Sequence, residues 1–163
     1  MTSNIISKVV ELDNCNKDLL IKAFYSVKFW ETVNPAKKMD AKFISPNVLY
    51  SKVTDEIINI PIEMEGELVL QDEGEQEEGK GRLIELNVRN NKDVRELEGR
   101  LRIKALSDNK SKLGVFIKSF KLGSEFLNLI GKSVAELTLR NKITEMLRKL
   151  ERWVRNNSLE DLL

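Results

Sequence analysis

Ile62-Glu63-Met64-Glu65-Gly66-Glu67-Leu68-Val69-Leu70 alternates apolar and acidic side chains along most of its length. Successive side chains of a strand point to opposite faces. Ile62, Met64, Gly66, Leu68 and Leu70 therefore share one face, and Glu63, Glu65 and Glu67 the other. A second stretch repeats the pattern: Leu97, Gly99, Leu101, Ile103 and Ala105 oppose Glu96, Glu98, Arg100, Arg102 and Lys104. Both predict an antiparallel sheet with one dry face and one wet face. Gly66 and Gly99 fall on the dry face, where an interior glycine marks a bend, a bulge or a close approach.

Working outward, turn chemistry divides the chain from Met39 to Leu122 into six strands, over 39–45, 48–57, 61–71, 81–89, 94–106 and 112–121. The punctuation is Ser45-Pro46-Asn47, Ile58-Asn59 before Pro61, a long polar hairpin from Asp72 to Lys80, Asn90-Asn91-Lys92-Asp93 and Ser107-Asp108-Asn109-Lys110. Links this short make neighbours pair antiparallel, as a meander. Alternation is poor in 48–57 and 112–121, so periodicity does not assign their inward faces.

Before the meander, Ile5, Ile6, Val9, Val10 and Leu12 predict a first strand over 4–12. Asn14 or Asn16 then offers a helix cap, followed by Leu19, Leu20, Ala23 and Phe24 at helical spacing. A second short helix carries Phe29 and Trp30 and stops at Pro35, which disfavours helix in the residue before it. After the meander, Ser124 is the candidate cap of a helix of about 30 residues, roughly 45 Å long and able to cross strands of about 10 residues. Its apolar stripe shifts around the axis. Phe126, Leu127, Ile130, Val134 and Leu137 lie on one side, and Leu139, Ile143, Met146, Leu147, Leu150 and Val154 on another. Three accounts fit: the first half meets loops and the short helices while the second packs on the sheet; the helix kinks at Gly131; or an apolar face is left for dimerisation or membrane contact.

The order strand, two short helices, six-strand meander, long helix, with Ala23-Phe24-Tyr25-Ser26-Val27-Lys28-Phe29-Trp30-Glu31-Thr32-Val33-Asn34-Pro35 as first helices and a Pro-marked return to the sheet, resembles the START and birch-pollen-allergen-like helix-grip (SRPBCC) superfamily. That group includes polyketide cyclases and carbon-monoxide-dehydrogenase-subunit-like proteins. The resemblance implies an α+β helix-grip domain over 1–157, in which a curved seven-strand antiparallel sheet wraps around a long C-terminal helix, with 158–163 as a short tail. It also implies a cavity between sheet and helix for lipid-like apolar ligands. Some members carry a glycine-rich loop between the first two meander strands; here that turn is Ser45-Pro46-Asn47, so phosphate contact there has no support.

Composition narrows the chemistry. Histidine is absent and cysteine occurs once, as Cys15, among 163 residues. The usual neutral-pH base, the commonest metal ligand and any internal disulfide are therefore missing. Cys15 stands near a helix start, which can depress a thiol pKa, yet no histidine is available to pair with it. Gly74, Gly79 and Gly81 form neither a Walker loop nor a Rossmann fingerprint. Glu73, Glu75, Glu77 and Glu78 lack EF-hand spacing. No metal and no cofactor are expected. Net charge is +1, with 12 acids and 5 bases in residues 63–98 and 5 acids and 14 bases in residues 99–157. Wet faces of mixed sign do not suit nucleic acid. Without a signal-like start or an apolar run of about 20 residues, the expected location is the cytoplasm. Peripheral membrane contact remains open, as do a monomer and a homodimer.

The favoured reading is noncatalytic binding or transport of an apolar small molecule. Its pocket residues would be Met64, Leu68, Ile84, Leu86, Leu101, Ile103, Val115 and Ile117 from strands and Val134, Leu137 and Met146 from the helix. Tyr25, Tyr50, Ser51 and Ser119 are candidates for isolated polar contacts, and Trp30 and Trp153 for stacking. The alternatives are a cyclase-like enzyme acting in the same cavity, with a Tyr or Glu moving a proton, and a protein-interaction module whose cavity has collapsed.

Overall fold

The computed structural model describes residues 4–123, 125 and 129–163. Strand β1 (Ile6–Asp13) leads into helices α1 (Lys17–Ala23) and α2 (Val27–Val33). The meander follows as β2 (Lys38–Ser45), β3 (Val48–Ile57), β4 (Ile60–Gln76), β5 (Gly81–Arg89), β6 (Val94–Ser107) and β7 (Lys110–Leu122). Helix α3 (Lys132–Asn156) and a 3-10 turn at Leu159–Leu162 close the chain. The seven-stranded sheet runs β1-β7-β6-β5-β4-β3-β2, and every pairing is antiparallel. The first strand thus pairs with the last, α1 and α2 link the two sheet edges, and α3 lies against the concave face. This is the predicted α+β helix-grip arrangement.

Side-chain chemistry fixes the connections. Asn16 is the cap: its Oδ1 accepts from the Leu19 N–H at 3.1 Å. Asn14, the other candidate, instead donates to the Val154 carbonyl at 2.7 Å and ties the end of β1 to the end of α3. In α2 the Trp30 indole N–H donates to the Phe24 carbonyl at 2.8 Å. The rings of Phe24, Phe29 and Trp30 meet edge to face at 5.1 and 5.2 Å, a favoured aromatic geometry.

The Asp72–Lys80 hairpin is more ordered than the sequence suggests. Strand β4 continues through it to Gln76, with a bulge between Asp72 and Gly74. Gly74 supplies the φ of +80° there. The Asp72 carboxylate accepts from the Gly74 N–H at 2.9 Å and from Arg82 at 2.8 and 2.6 Å, which holds the two strands together beyond the bulge.

Both dry-face glycines have a steric reason. A Cβ on Gly66 would lie 2.5 Å from the Asn91 Cβ, and one on Gly99 would lie 2.8 Å from the Phe116 carbonyl oxygen. Gly99 also sits where the β6–β7 register shifts: Glu98 pairs with Ser119 but Gly99 with Ile117, leaving Lys118 as the extra residue. That bulge explains the poor alternation of 112–121. Leu113, Val115 and Ile117 face inward before it, and Phe120 and Leu122 after it.

The long helix is interrupted at Gly131, whose φ is +79°, the position suggested for a kink. The expected cap Ser124, with Phe126 and Leu127, lies outside the described residues. The first account of the stripe shift holds for the second half of the helix, which packs on the sheet, but not for the placement of the short helices. The buried C-terminal half of α3 (Ile143, Leu147, Leu150, Val154) joins α1, α2 and the sheet in the main core. Ile130 and Ala135 instead join a smaller cluster with Ile57, Ile62, Val94 and Leu122 at strand ends. The short helices thus meet the second half of the helix, not the first. Residues 158–163, read as a tail, form the docked 3-10 turn, with Leu159 and Leu162 in the main core.

Candidate functional site

A cavity of about 280 Å³ lies between the sheet and α3. The strands contribute Leu68 from β4, Leu86 and Val88 from β5, Leu97 and Leu101 from β6, and Leu113, Val115 and Ile117 from β7. Helix α3 adds Leu139, Ile143, Met146, Leu147 and Leu150. The remaining wall is Phe24, Phe29, Trp30 and Val33 from α1 and α2, with Ser51 from β3.

Six of the sequence-predicted pocket residues come together here: Leu68, Leu86, Leu101, Val115, Ile117 and Met146. Five do not line this cavity. Ile84 and Ile103 are fully buried in the main core. Met64 and Val134 pack on the smaller cluster. Leu137 is 54% exposed, because it sits about 200° around the helix from Leu139 at roughly 100° per residue.

Of the aromatic wall, Trp30 stood among the stacking candidates, whereas Phe24, just past α1, and Phe29 of α2 were missed as pocket lining. The available signal was topological. Two helices linking the outer strands of a curved sheet must cross its open side, and Phe24, Phe29 and Trp30 are their large apolar side chains.

The cavity offers little chemistry. Ser51 is the one hydroxyl among its described lining residues, and the Trp30 N–H is already donated to Phe24. Tyr50 instead hydrogen-bonds Glu65, which raises its phenol pKa. Tyr25 is half-buried, and that burial, with Asp72 nearby, pushes its pKa up. The Ser119 hydroxyl oxygen is buried with no hydrogen-bond partner among the described residues, and it does not line the cavity.

Cys15 does not have the depressed pKa that a place near a helix start can give. It is fully buried, and burial pushes its thiol up to about 11, so it stays protonated at neutral pH. The Ser111 hydroxyl donates to the Cys15 carbonyl at 2.7 Å, a structural contact. Among the described residues no cluster of acids or cysteine is arranged to hold a metal, and no helix is long and apolar enough to cross a membrane.

A smaller cavity of about 190 Å³ adjoins the first, and Leu97 and Leu139 line both. Its wall includes Met64, Phe120, Thr138, Asp55 and Lys142. Asp55 is 8% exposed and faces inward from β3, and its Oδ2 lies 2.8 Å from the Lys142 Nζ.

No protein-family model matches the chain, and no curated protein matches it in sequence. Solved structures do match over most of its length. The Zhui aromatase/cyclase from Streptomyces sp. R1128 superposes with a TM-score of 0.66 at 10% identity, over 92% of each chain. A START superfamily protein from Mycobacterium smegmatis gives 0.58 at 18% identity, over 90% of this chain and 96% of that one. Norcoclaurine synthase from Thalictrum flavum, solved in complex with dopamine and hydroxybenzaldehyde, gives 0.53 at 12% identity, over 94% and 87%. Strand order, helix placement and these superpositions agree: the chain has the START-like, SRPBCC helix-grip fold that aromatase/cyclases share.

Proposed function

We propose that this protein binds an apolar, lipid-like small molecule in the cavity between sheet and α3, and carries it without transforming it. One observation supports this above the rest: among the described residues, the wall of the 280 Å³ cavity is apolar apart from the Ser51 hydroxyl and the engaged Trp30 N–H. Ligand sites are typically concave, mostly apolar and a few hundred Å³ in volume. Removing apolar ligand surface from water would supply most of the affinity, at roughly 25 cal/mol per Å². The norcoclaurine synthase complex lends support by analogy, since that protein holds small aromatic molecules on the same fold. A cytoplasmic location is part of the proposal and accords with the single free thiol.

The cyclase-like alternative draws on the aromatase/cyclase superposition. It needs a proton-moving group beside the substrate; the described lining of the larger cavity offers Ser51 alone, and the acid and base of the adjoining one, Asp55 and Lys142, are held against each other.

Native mass spectrometry of the purified protein, followed by denaturing extraction, tests the reading. The expected result is a stoichiometric apolar adduct that Leu86→Trp, which fills the cavity, abolishes while the chain stays folded. An apo mass that persists after incubation with extracted cell lipids, or an adduct that survives Leu86→Trp, would sink it.

A further inference from the structure

We infer that the Asp55–Lys142 pair is a head-group subsite, so that the ligand is amphipathic: an apolar body in the larger cavity and an uncharged hydrogen-bonding head, such as a hydroxyl, in the smaller one. This deepens the proposed function and rests on it.

Strand register places the acid of this pair. Ser51 pairs with Gly66, Val53 with Met64 and Asp55 with Ile62, so β3 turns Ser51, Val53 and Asp55 toward the same face as the dry residues of β4. A carboxylate is thereby placed inside the grip. Lys142 reaches it from α3 and also donates to the Pro35 carbonyl at 3.2 Å.

The pair keeps hydrogen-bonding capacity. An ammonium has three donors, and the Asp55 and Pro35 contacts engage two. A carboxylate has about four lone-pair sites on two oxygens, and the Lys142 contact uses Oδ2. Thr138 is the other hydroxyl on this wall, and it donates to the Val134 carbonyl at 2.8 Å. Asp55 and Lys142 are therefore the groups best placed to meet a head.

The two together carry no net charge. A hydroxyl can donate to Asp55 and accept from Lys142 at once. A carboxylate head would meet the Asp55 charge, and an ammonium head the Lys142 charge. Leu97 and Leu139 line both cavities, so a ligand lying between these side chains would place body and head in the two spaces together. Because the pair is already satisfied without ligand, the preference for a hydroxyl should be moderate, about tenfold, in line with one or two net hydrogen bonds.

The test compares probes of one shape, 2-methylnaphthalene, 2-naphthol and 2-naphthoate, by equilibrium dialysis at neutral pH. Wild type should bind 2-naphthol about tenfold more tightly than 2-methylnaphthalene and more tightly than 2-naphthoate. In Asp55→Leu/Lys142→Met the ratio of naphthol to methylnaphthalene affinity should fall to within about threefold. If that double variant fails to fold, Asp55→Asn, which keeps the shape, must lower the ratio. Equal affinities in wild type, a ratio that survives the variants, or tighter binding of 2-naphthoate would overturn the subsite and leave the cavity reading standing. Failure of every probe to bind wild type would remove the cavity reading, and the subsite with it.

Discussion

The two ends of the grip share one sheet and one helix but are filled differently. Toward the C-terminal half of α3, aliphatic strand residues face Phe24, Phe29 and Trp30, and apolar surface dominates. Toward its N-terminal end, a smaller apolar cluster borders an ion pair that bridges β3 and α3. Non-directional burial holds the first end, and directed polar contact takes part in holding the second. A ligand lying across both would meet an apolar environment at one end and a polar one at the other.

The largest effect that sharpens this comparison is expected on α3. Leu150 is 2% exposed and lines the apolar cavity, whereas Leu137 is 54% exposed near the other end. Leu150→Ala should cost about 3 kcal/mol, from lost burial and an enlarged void. Leu137→Ala should stay within about 0.5 kcal/mol. Urea unfolding of both variants reads the difference, and equal losses would show that the helix presents another face to the sheet.

The apolar end was also the more legible in sequence, for the same physical reason. Strands β4 and β6 alternate cleanly because their dry faces bury apolar groups alone, so Leu68 and Leu101 could be placed from period two. Strand β3 could not be read that way, since Ser51 and Asp55 occupy inward positions that a hydropathy pattern assigns to solvent. In strand β7 Val115 and Ile117 could be placed, but the inward set beyond them could not, because Lys118 is an inserted residue and that set moves from odd to even positions at a place no local signal marks. Element order and most strand limits were legible because turn residues carry them. Which face of α3 meets which end depends on the Gly131 break and on tertiary packing, and Leu137 was misplaced accordingly.

The next effect tests the polar end. Asp55→Ala leaves Lys142 without its charged partner. Breaking a fully buried pair costs about 3–5 kcal/mol. The Lys142 side chain keeps 28% exposure, so a loss of about 2 kcal/mol is expected. Asp55→Leu/Lys142→Met should recover most of it, because a well-packed apolar pair often equals or exceeds a buried ion pair in stability. If the double variant is no better than the single one, the pair is itself a net stabiliser, and directed polar contact holds this end where burial holds the other.

The smallest effect comes from an ion pair with more solvent around it, on the hairpin that extends β4 and β5. The pairing of Asp72 with Arg82 leaves side-chain exposures of 29% and 34%, so it is worth less than the Asp55 contact, on the order of 0.2–1 kcal/mol. Hydrogen bonds from Arg82 hold the Asp72 carboxyl below its ordinary value of 3.8, against the opposing effect of burial, with the Gly74 N–H assisting. A carboxylate whose pKa is lower folded than unfolded contributes stability above the unfolded value and loses it as pH falls through the folded one. Wild type should therefore be more stable than Asp72→Asn near neutral pH, and the gap in urea midpoint should narrow as pH falls below 3.8. A gap that persists in acid would show that Asp72 contributes through something other than its charge, because an asparagine here keeps an oxygen to accept from the Gly74 N–H and gives up only the charge that attracts Arg82.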